Sequence, residues 1–292
     1  MLDSRPVVVG VDGSPASLAA VRYAVRLAER RQTPLHLVHA YQYPLPGYTM
    51  VGFAYPSDGS GEAAREQIAA TLKALAERIR AEHPDLVAVH AEQVAGPAAA
   101  VLIELARGAD VTVVGTRGHG GFAGLLLGSV AAQVATHAHG TVIVVPPAAE
   151  DGPDRAEDPV AVGFDRSTGA ERALRFAAEE SLLRGTALAV TRLYDPVMDR
   201  DGAYAALSIA DAVKILLDEY PSLRVDADTL PSESIARGMI EISAEAGLTV
   251  VGSRGHGGFA GLLLGSIGRA LLHHARGPVA VVHPTHAERN VS

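Results

Sequence analysis

Two stretches of the chain read almost alike. Residues 112–129 are TVVGTRGHGGFAGLLLGS and residues 249–266 are TVVGSRGHGGFAGLLLGS, differing only at Thr116 and Ser253. In each copy a run of β-branched residues feeds a glycine-rich loop, spaced Gly-x-x-Gly, nine residues, then Gly-Ser: Gly115, Gly118, Gly128 and Ser129, and Gly252, Gly255, Gly265 and Ser266. Glycine where a strand ends lets the backbone approach a ligand closely and take up positive φ without penalty. Gly-Ser opening a helix leaves backbone N–H groups and the positive end of the helix dipole aimed outward, with a hydroxyl beside them. These are the parts of a cradle for phosphate. The plain alternative is a tight glycine turn that packs the helix against the sheet, and the near-identity of the two copies weighs against it.

The loop matches neither enzymatic template of similar composition. G-x-x-x-x-G-K-[ST] requires a lysine, yet lysine occurs only at Lys73 and Lys214, both in amphipathic stretches remote from the loops. The G-x-G-x-x-G dinucleotide fingerprint fails on spacing. Each half also carries an aspartate at the end of its first strand, Asp12 in VGVDGSP and Asp165 in VGFDRST. With strand order 3-2-1-4-5, that aspartate and the glycine loop flank the topological switch point where open α/β sheets bind ligands. An acidic group there can accept a hydrogen bond from a ribose hydroxyl. It can equally be an N-cap or Asx-turn residue that starts the first helix, and the two roles are compatible.

Other candidates lie in the same loops. Arg117 and Arg254 can neutralise phosphate or face solvent. His119 and His256 stand between glycines without partners at metal-ligand spacing, so a place beside phosphate or solvent fits better than catalysis. His137, His139, His273 and His274 gather at helix ends, where cations suit the dipole.

The elements that must position these residues alternate along the chain. In the first half, strands are expected at residues 6–12, 35–40, 86–94, 111–115 and 141–145, with helices at 16–31, 62–82, 97–107 and 129–137 between them. The second half repeats the plan with strands at 160–165, 187–193, 223–230, 248–252 and 279–282. Its helices are expected near 170–184, 204–220, 232–246 and from the loop to His274. Strands apolar on both faces and separated by helices imply a parallel sheet covered on both sides. The fold class is therefore α/β, as two doubly wound, open, parallel five-stranded sheets in tandem. Residues 146–159 (PPAAEDGPDRAEDP) form a proline-rich acidic boundary, dividing the chain into domains at 1–147 and 159–292 with a linker at 148–158. Residues 41–61 form a long loop rich in tyrosine, glycine and proline, either a lid or a disordered connection, with surface packing the plainer role for its aromatic residues, and most of the length the second half lacks maps there. The fifth strand of each half, TVIVV and PVAVV, would be an exposed apolar edge on its own, so the halves are expected to pair through these edges as a pseudo-two-fold dimer.

Composition sets outer bounds. A net charge of −8 with 4% aromatic residues disfavours a nucleic-acid surface, which needs basic patches and stacking rings. No apolar run reaches the roughly 18 residues that span a bilayer, and residues 1–5 lead straight into a strand, so a cytoplasmic protein is expected. Without cysteine there is no disulfide, thiol catalysis or thiolate metal site.

Together, V-G-x-D-x-S at the first strand, the 3-2-1-4-5 order and above all G-x-x-G-x9-G-[ST] resemble the universal stress protein family in its tandem, ATP-binding form, over nearly the whole chain. The resemblance implies that Asp12 and Asp165 sit at the ribose end and that the backbone near Ala40 and Leu193 meets adenine. It further implies that the loop glycines and serines hold the triphosphate, with Mg2+. The candidate nucleotide-binding set is thus Gly10, Asp12, Ala40, Gly115, Thr116, Arg117, Gly118, His119, Gly120, Gly121, Gly128 and Ser129 in the first half. In the second it is Gly163, Asp165, Leu193, Gly252, Ser253, Arg254, Gly255, His256, Gly257, Gly258, Gly265 and Ser266. Neither a catalytic residue nor a protein metal ligand is assigned. Members of such a family act as nucleotide-binding regulators of stress survival, dormancy or growth with little turnover, alone or as homo-oligomers. A slow ATPase or nucleotide-transferring enzyme of the same fold is the competing reading, and a binder of another anion or metabolite is a third. The second half departs from the pattern in Phe164, Arg166 and Thr168, where the first has Val11, Gly13 and Pro15. Arg166 either reaches the ligand or crowds the turn.

Overall fold

Six valine-rich segments occupy the middle of the sheet because each can bury both faces. The computed structural model describes residues 5–42, 60–118, 126–147, 157–197, 203–255 and 263–285. Within them the first half runs β1 (Val7–Gly10), α1 (Pro15–Arg31), β2 (Leu35–Tyr41), α2 (Ser60–Glu82), β3 (Val89–Ala95), α3 (Ala98–Leu105), β4 (Val111–Gly115), α4 (Ser129–His137) and β5 (Thr141–Val145). The second half runs β6 (Val160–Gly163), α5 (Thr168–Arg184), β7 (Leu188–Tyr194), α6 (Ala203–Glu219), β8 (Val225–Pro231), α7 (Ile235–Ile242), β9 (Leu248–Gly252), α8 (Ser266–His274) and β10 (Val279–Val282). Most of the 41–61 loop and the middle of the linker lie outside the described residues.

Successive side chains of each strand point to opposite faces of the sheet, and two separate cores follow. Val7, Val9, Leu35, Leu37, Val113 and Ile143 pack under α1, α2, α5 and α6. Val8, Val38, Val114, Val142 and Val144 pack on the other face with α3, α4, α7 and α8. Each half has the order 3-2-1-4-5 expected from the sequence. The two sheets are joined at the fifth strands. β5 and β10 pair antiparallel, Val142 opposite Val281 and Ile143 opposite Ala280, which fuses them into ten strands ordered β3-β2-β1-β4-β5-β10-β9-β6-β7-β8. The apolar edges of the isolated halves meet each other, as edge strands with unpaired N–H and C=O groups tend to do.

Helix starts follow local chemistry. Ser14 caps α1 by accepting from the Ser17 N–H with Pro15 in the first turn, and Ser167 and Ser234 cap α5 and α7 in the same way. Several elements are shorter than expected. The third strand starts at Val89 because residues 83–86 form a turn, and α7 covers only Ile235–Ile242 between its Ser234 cap and a turn at residues 243–245.

Beside the β5–β10 seam, α1 meets α5 through a buried ion cluster. Glu180, fully buried, lies 2.8 Å from Arg31 and 3.3 Å from Arg184, and Arg31 also reaches Asp110 at 3.1 Å. The Arg31 guanidinium lies 5.0 Å from the centre of the Phe176 ring, a cation–π arrangement. Burial is the main reason that the Tyr23 phenol, which accepts a hydrogen bond from Arg184, titrates above its ordinary range. Among the described residues, no helix is long and apolar enough to cross a membrane.

Candidate functional site

A cavity of about 220 Å3 opens at the carboxyl end of β1 and β4, and one of about 440 Å3 at the carboxyl end of β6 and β9. Their positions follow from the strand order. β1 sends its chain to β2 on one side while β4 stands on the other, so the connections diverge and leave a crevice between them.

In the first half the turn after β1 is built on Asp12. Its Oδ1 accepts the Ser14 N–H at 2.9 Å, an Asx turn that leads into the Ser14 cap of α1. Gly13 takes a left-handed φ of 85°, and its N–H donates to Ser17 Oγ at 3.1 Å. The Ser14 hydroxyl crosses to the glycine loop and donates to the Arg117 carbonyl at 3.1 Å. The loop is closed at its stem by the Gly128 N–H donating to the Thr116 carbonyl at 2.7 Å. α4 therefore begins beside the exit of β4. No side chain caps α4 at Gly128, and Ser129, Val130 and Ala131 of its first turn line the cavity. An uncapped helix start facing a cavity offers N–H donors and positive dipole to an anion.

The second half repeats this frame. Asp165 Oδ1 accepts the Ser167 N–H at 2.9 Å, Ser167 Oγ donates to the Arg254 carbonyl at 3.3 Å, and the Gly265 N–H donates to the Ser253 carbonyl at 2.8 Å. α8 starts at Gly265 without a side-chain cap. Arg166 holds the left-handed φ of 67° that Gly13 holds in the first half, so it crowds the turn with a Cβ where glycine carries none.

The structure brings most of the expected residues together. Gly10, Asp12, Ala40, Gly115, Thr116, Arg117, Gly118, Gly128 and Ser129 all line the first cavity. Gly163, Asp165, Leu193, Gly252, Arg254, Gly255, Gly265 and Ser266 line the second. Ser253 is buried at the stem, outside the cavity wall. His119, Gly120, Gly121, His256, Gly257 and Gly258 lie outside the described residues. Arg117 and Arg254 are exposed at the rims.

The reason for the glycines differs from the one expected. None of the six described motif glycines has positive φ. A Cβ on Gly115 would fall 2.6 Å from the Ala16 backbone, and one on Gly252 would fall 2.5 Å from Gly169. These two positions let α1 and α5 press against the strand exits, so they answer to packing. A Cβ on Gly118 would fall 2.2 Å from Asp12 Oδ2, and one on Gly255 would fall 2.4 Å from Asp165 Oδ2. Here glycine brings the loop backbone against the carboxylate of strand one. At Gly265 a Cβ would make an ordinary contact, 3.7 Å from the Ser253 carbonyl, and at Gly128 a tight one, 3.2 Å from the Thr116 carbonyl, so packing demands glycine less at these two than at the other four.

Sequence reasoning missed the far wall. Val38, Ala98 and Leu102 make an apolar end to the first cavity, and Thr191, Ile235 and Met239 take those places in the second. Val38 was within reach, because it lies two residues before Ala40 on the same face of β2. Nothing local marks which face of α3 or α7 turns towards the crevice. Each cavity thus joins a mainly apolar end, a carboxylate and an uncapped helix start.

Comparison with known proteins gives one consistent result. The model of the universal stress protein family matches residues 4–146 and again 158–283. Universal stress protein Rv2623 of Mycobacterium tuberculosis is 33% identical over 296 residues, covering 95% of this chain and 96% of its own. Universal stress protein Rv2005c of the same organism is 32% identical over 290 residues, covering 94% and 96%. Among solved structures, a universal stress protein from Archaeoglobus fulgidus superposes with a TM-score of 0.74 at 20% identity, covering 96% of this chain and 98% of that one.

Proposed function

Because the chain belongs to the universal stress protein family, with one repeat of the family in each half, we propose that it is a nucleotide-dependent regulator of stress response or growth. Each half binds one ATP and hydrolyses it little or not at all. The observation that carries the reading is the convergence, twice in one chain, of a strand-end carboxylate, a glycine loop closed at its stem and an uncapped helix start around one cavity. The apolar residues at the ends of β2 and α3 receive the base, Asp12 and Asp165 accept from the ribose, and the N–H groups opening α4 and α8 receive the phosphates. Arg117 and Arg254, at the rims, add charge that falls off with salt.

ATP supplies the charge and shape to which such a regulator responds. Mg2+ travels with the triphosphate. Among the described residues no group of three His, Asp or Glu is assembled to hold a metal through protein ligands alone, so phosphate oxygens supply ligands in this reading.

The test is to denature freshly purified protein and identify the released nucleotide by chromatography and mass spectrometry, in moles per chain. Two ATP per chain is the expected result, and one ATP would mean that a single cavity is occupied. ADP with phosphate release in a steady-state assay would favour the slow ATPase. Failure to retain or bind any adenine nucleotide, with magnesium present, would refute the reading and leave the fold intact.

A further inference from the structure

The two cavities are built on equivalent elements of one chain, so each serves as the control for the other. They differ twofold in size, about 440 Å3 against about 220 Å3. Two replacements change the chemistry of the larger one.

The first is Thr191, where the other half has Val38. Both stand opposite the last residue of the central strand, in the registers Gly163 to Thr191 and Gly10 to Val38. Val190 points into the core under α5 and α6, so Thr191 points to the opposite face, the face of α7 that borders the cavity. Thr191 as a residue is 6% exposed, and it lines the cavity beside Ile235 and Met239. Where Val38 offers only methyl groups, the Thr191 hydroxyl gives the second cavity a hydrogen-bond donor and acceptor.

The second is Arg269, in the first turn of α8, where α4 carries Ala132. Arg269 is exposed and lines the second cavity as well as a neighbouring hollow between α4 and α8. With Arg254 at the rim, two arginines line the second cavity among the described residues and one, Arg117, lines the first.

We propose that the two sites are not equivalent: the second discriminates by phosphate charge through Arg269 and reads the base end through the Thr191 hydroxyl, while the first binds adenine nucleotides with less discrimination. This rests on the nucleotide-binding reading above. It places the larger preference for ATP over AMP in the second half, despite the strained Arg166 turn at its mouth.

Calorimetric titration of the full chain with ATP and with AMP, each with magnesium, tests it in the natural protein and in Thr191→Val and Arg269→Ala. Two classes of ATP site are expected. Arg269→Ala should weaken one class about 5- to 10-fold for ATP but less than about 2-fold for AMP, the scale of one charge-assisted hydrogen bond at an exposed site. Thr191→Val should weaken that same class about 3- to 5-fold for both nucleotides, the scale of one neutral hydrogen bond. Thr191→Val is nearly isosteric, and a thermal melt on each variant separates lost binding from lost fold. Two ATP sites in the natural chain, with neither class altered by either substitution, would overturn the inference alone. No binding to the natural chain would overturn the nucleotide reading with it.

Discussion

Replacing Gly128 and Gly265 together by alanine separates the cradle from the core. Both residues have ordinary extended backbones, φ −78°, ψ 158° and φ −68°, ψ 163°, which alanine adopts without strain. A Cβ on Gly128 would sit 3.2 Å from the Thr116 carbonyl and 3.4 Å from Arg117 Cα, with the Gly118 nitrogen at 3.9 Å. The new methyl would stand at the stem of the loop, between the start of α4 and the Gly118 backbone. On Gly265 the nearest atom would be the Ser253 carbonyl at 3.7 Å, an ordinary contact. Alanine is a poorer N-cap than glycine by roughly 1 kcal/mol per helix, and the tighter fit at Gly128 adds a few tenths more. The double variant should lose about 2 to 3 kcal/mol of stability, within the margin of an ordinary domain. Excluding phosphate from one or two of the helix-start N–H groups forfeits charged hydrogen bonds worth about 1.5 to 3 kcal/mol each. ATP affinity should therefore fall about 100-fold or more. Urea unfolding followed by circular dichroism measures the first quantity and calorimetric titration with ATP the second. Gly128→Ala alone should cost more in both than Gly265→Ala. A folded double variant that binds ATP within about 3-fold of the natural chain would refute the cradle, since a methyl at each helix start would then stand in nothing's way.

Three further expectations concern the frame. Gly115→Ala places its Cβ 2.6 Å from the Ala16 backbone, and since backbone cannot rotate aside it should cost about 2 to 3 kcal/mol of stability, read as a lowered urea midpoint. Glu180→Ala leaves Arg31 and Arg184 buried without their shared carboxylate, a loss of about 3 to 5 kcal/mol, and the same unfolding experiment with Glu180→Gln should recover part of it. His36 titrates below 6.5, mainly because burial disfavours its charged form, with Glu92 partly opposing the shift. Its contribution to stability is present above pH 6.5 and is lost as pH falls through 6.5 towards its folded value. Urea midpoints measured across that window should fall with pH in the natural chain and fall less in His36→Phe, while a histidine-resolved NMR titration should place the His36 midpoint below 6.5.

The fold was legible because its signals are local. Valine runs such as Val7–Val9 and Val111–Val114 have nowhere to go but a sheet buried on both faces, and Ser14–Pro15 announces a helix within two residues. The site was legible where it repeats. Asp12 and the glycine loop stand out because the second half restates them after so much else has changed. What stayed hidden depends on contacts between distant residues. Gly115 looks like a ligand glycine, and only the approach of Ala16 shows that it makes room for a helix. Leu102 and Met239 line the cavities because of the angle at which α3 and α7 cross the sheet, which no short window encodes. Arg269 and Thr191 read as ordinary surface and strand residues until the two halves are superposed. Glu180, in a helix otherwise rich in surface charge, gave no sign of meeting Arg31 across the chain.

The antiparallel seam of β5 and β10 also decides which way the molecule faces. Every strand of the second half runs opposite to those of the first, so the carboxyl ends, and the mouths beside them, lie at opposite poles of one sheet. The two cavities are therefore held at a fixed span by one continuous sheet, each open to its own side.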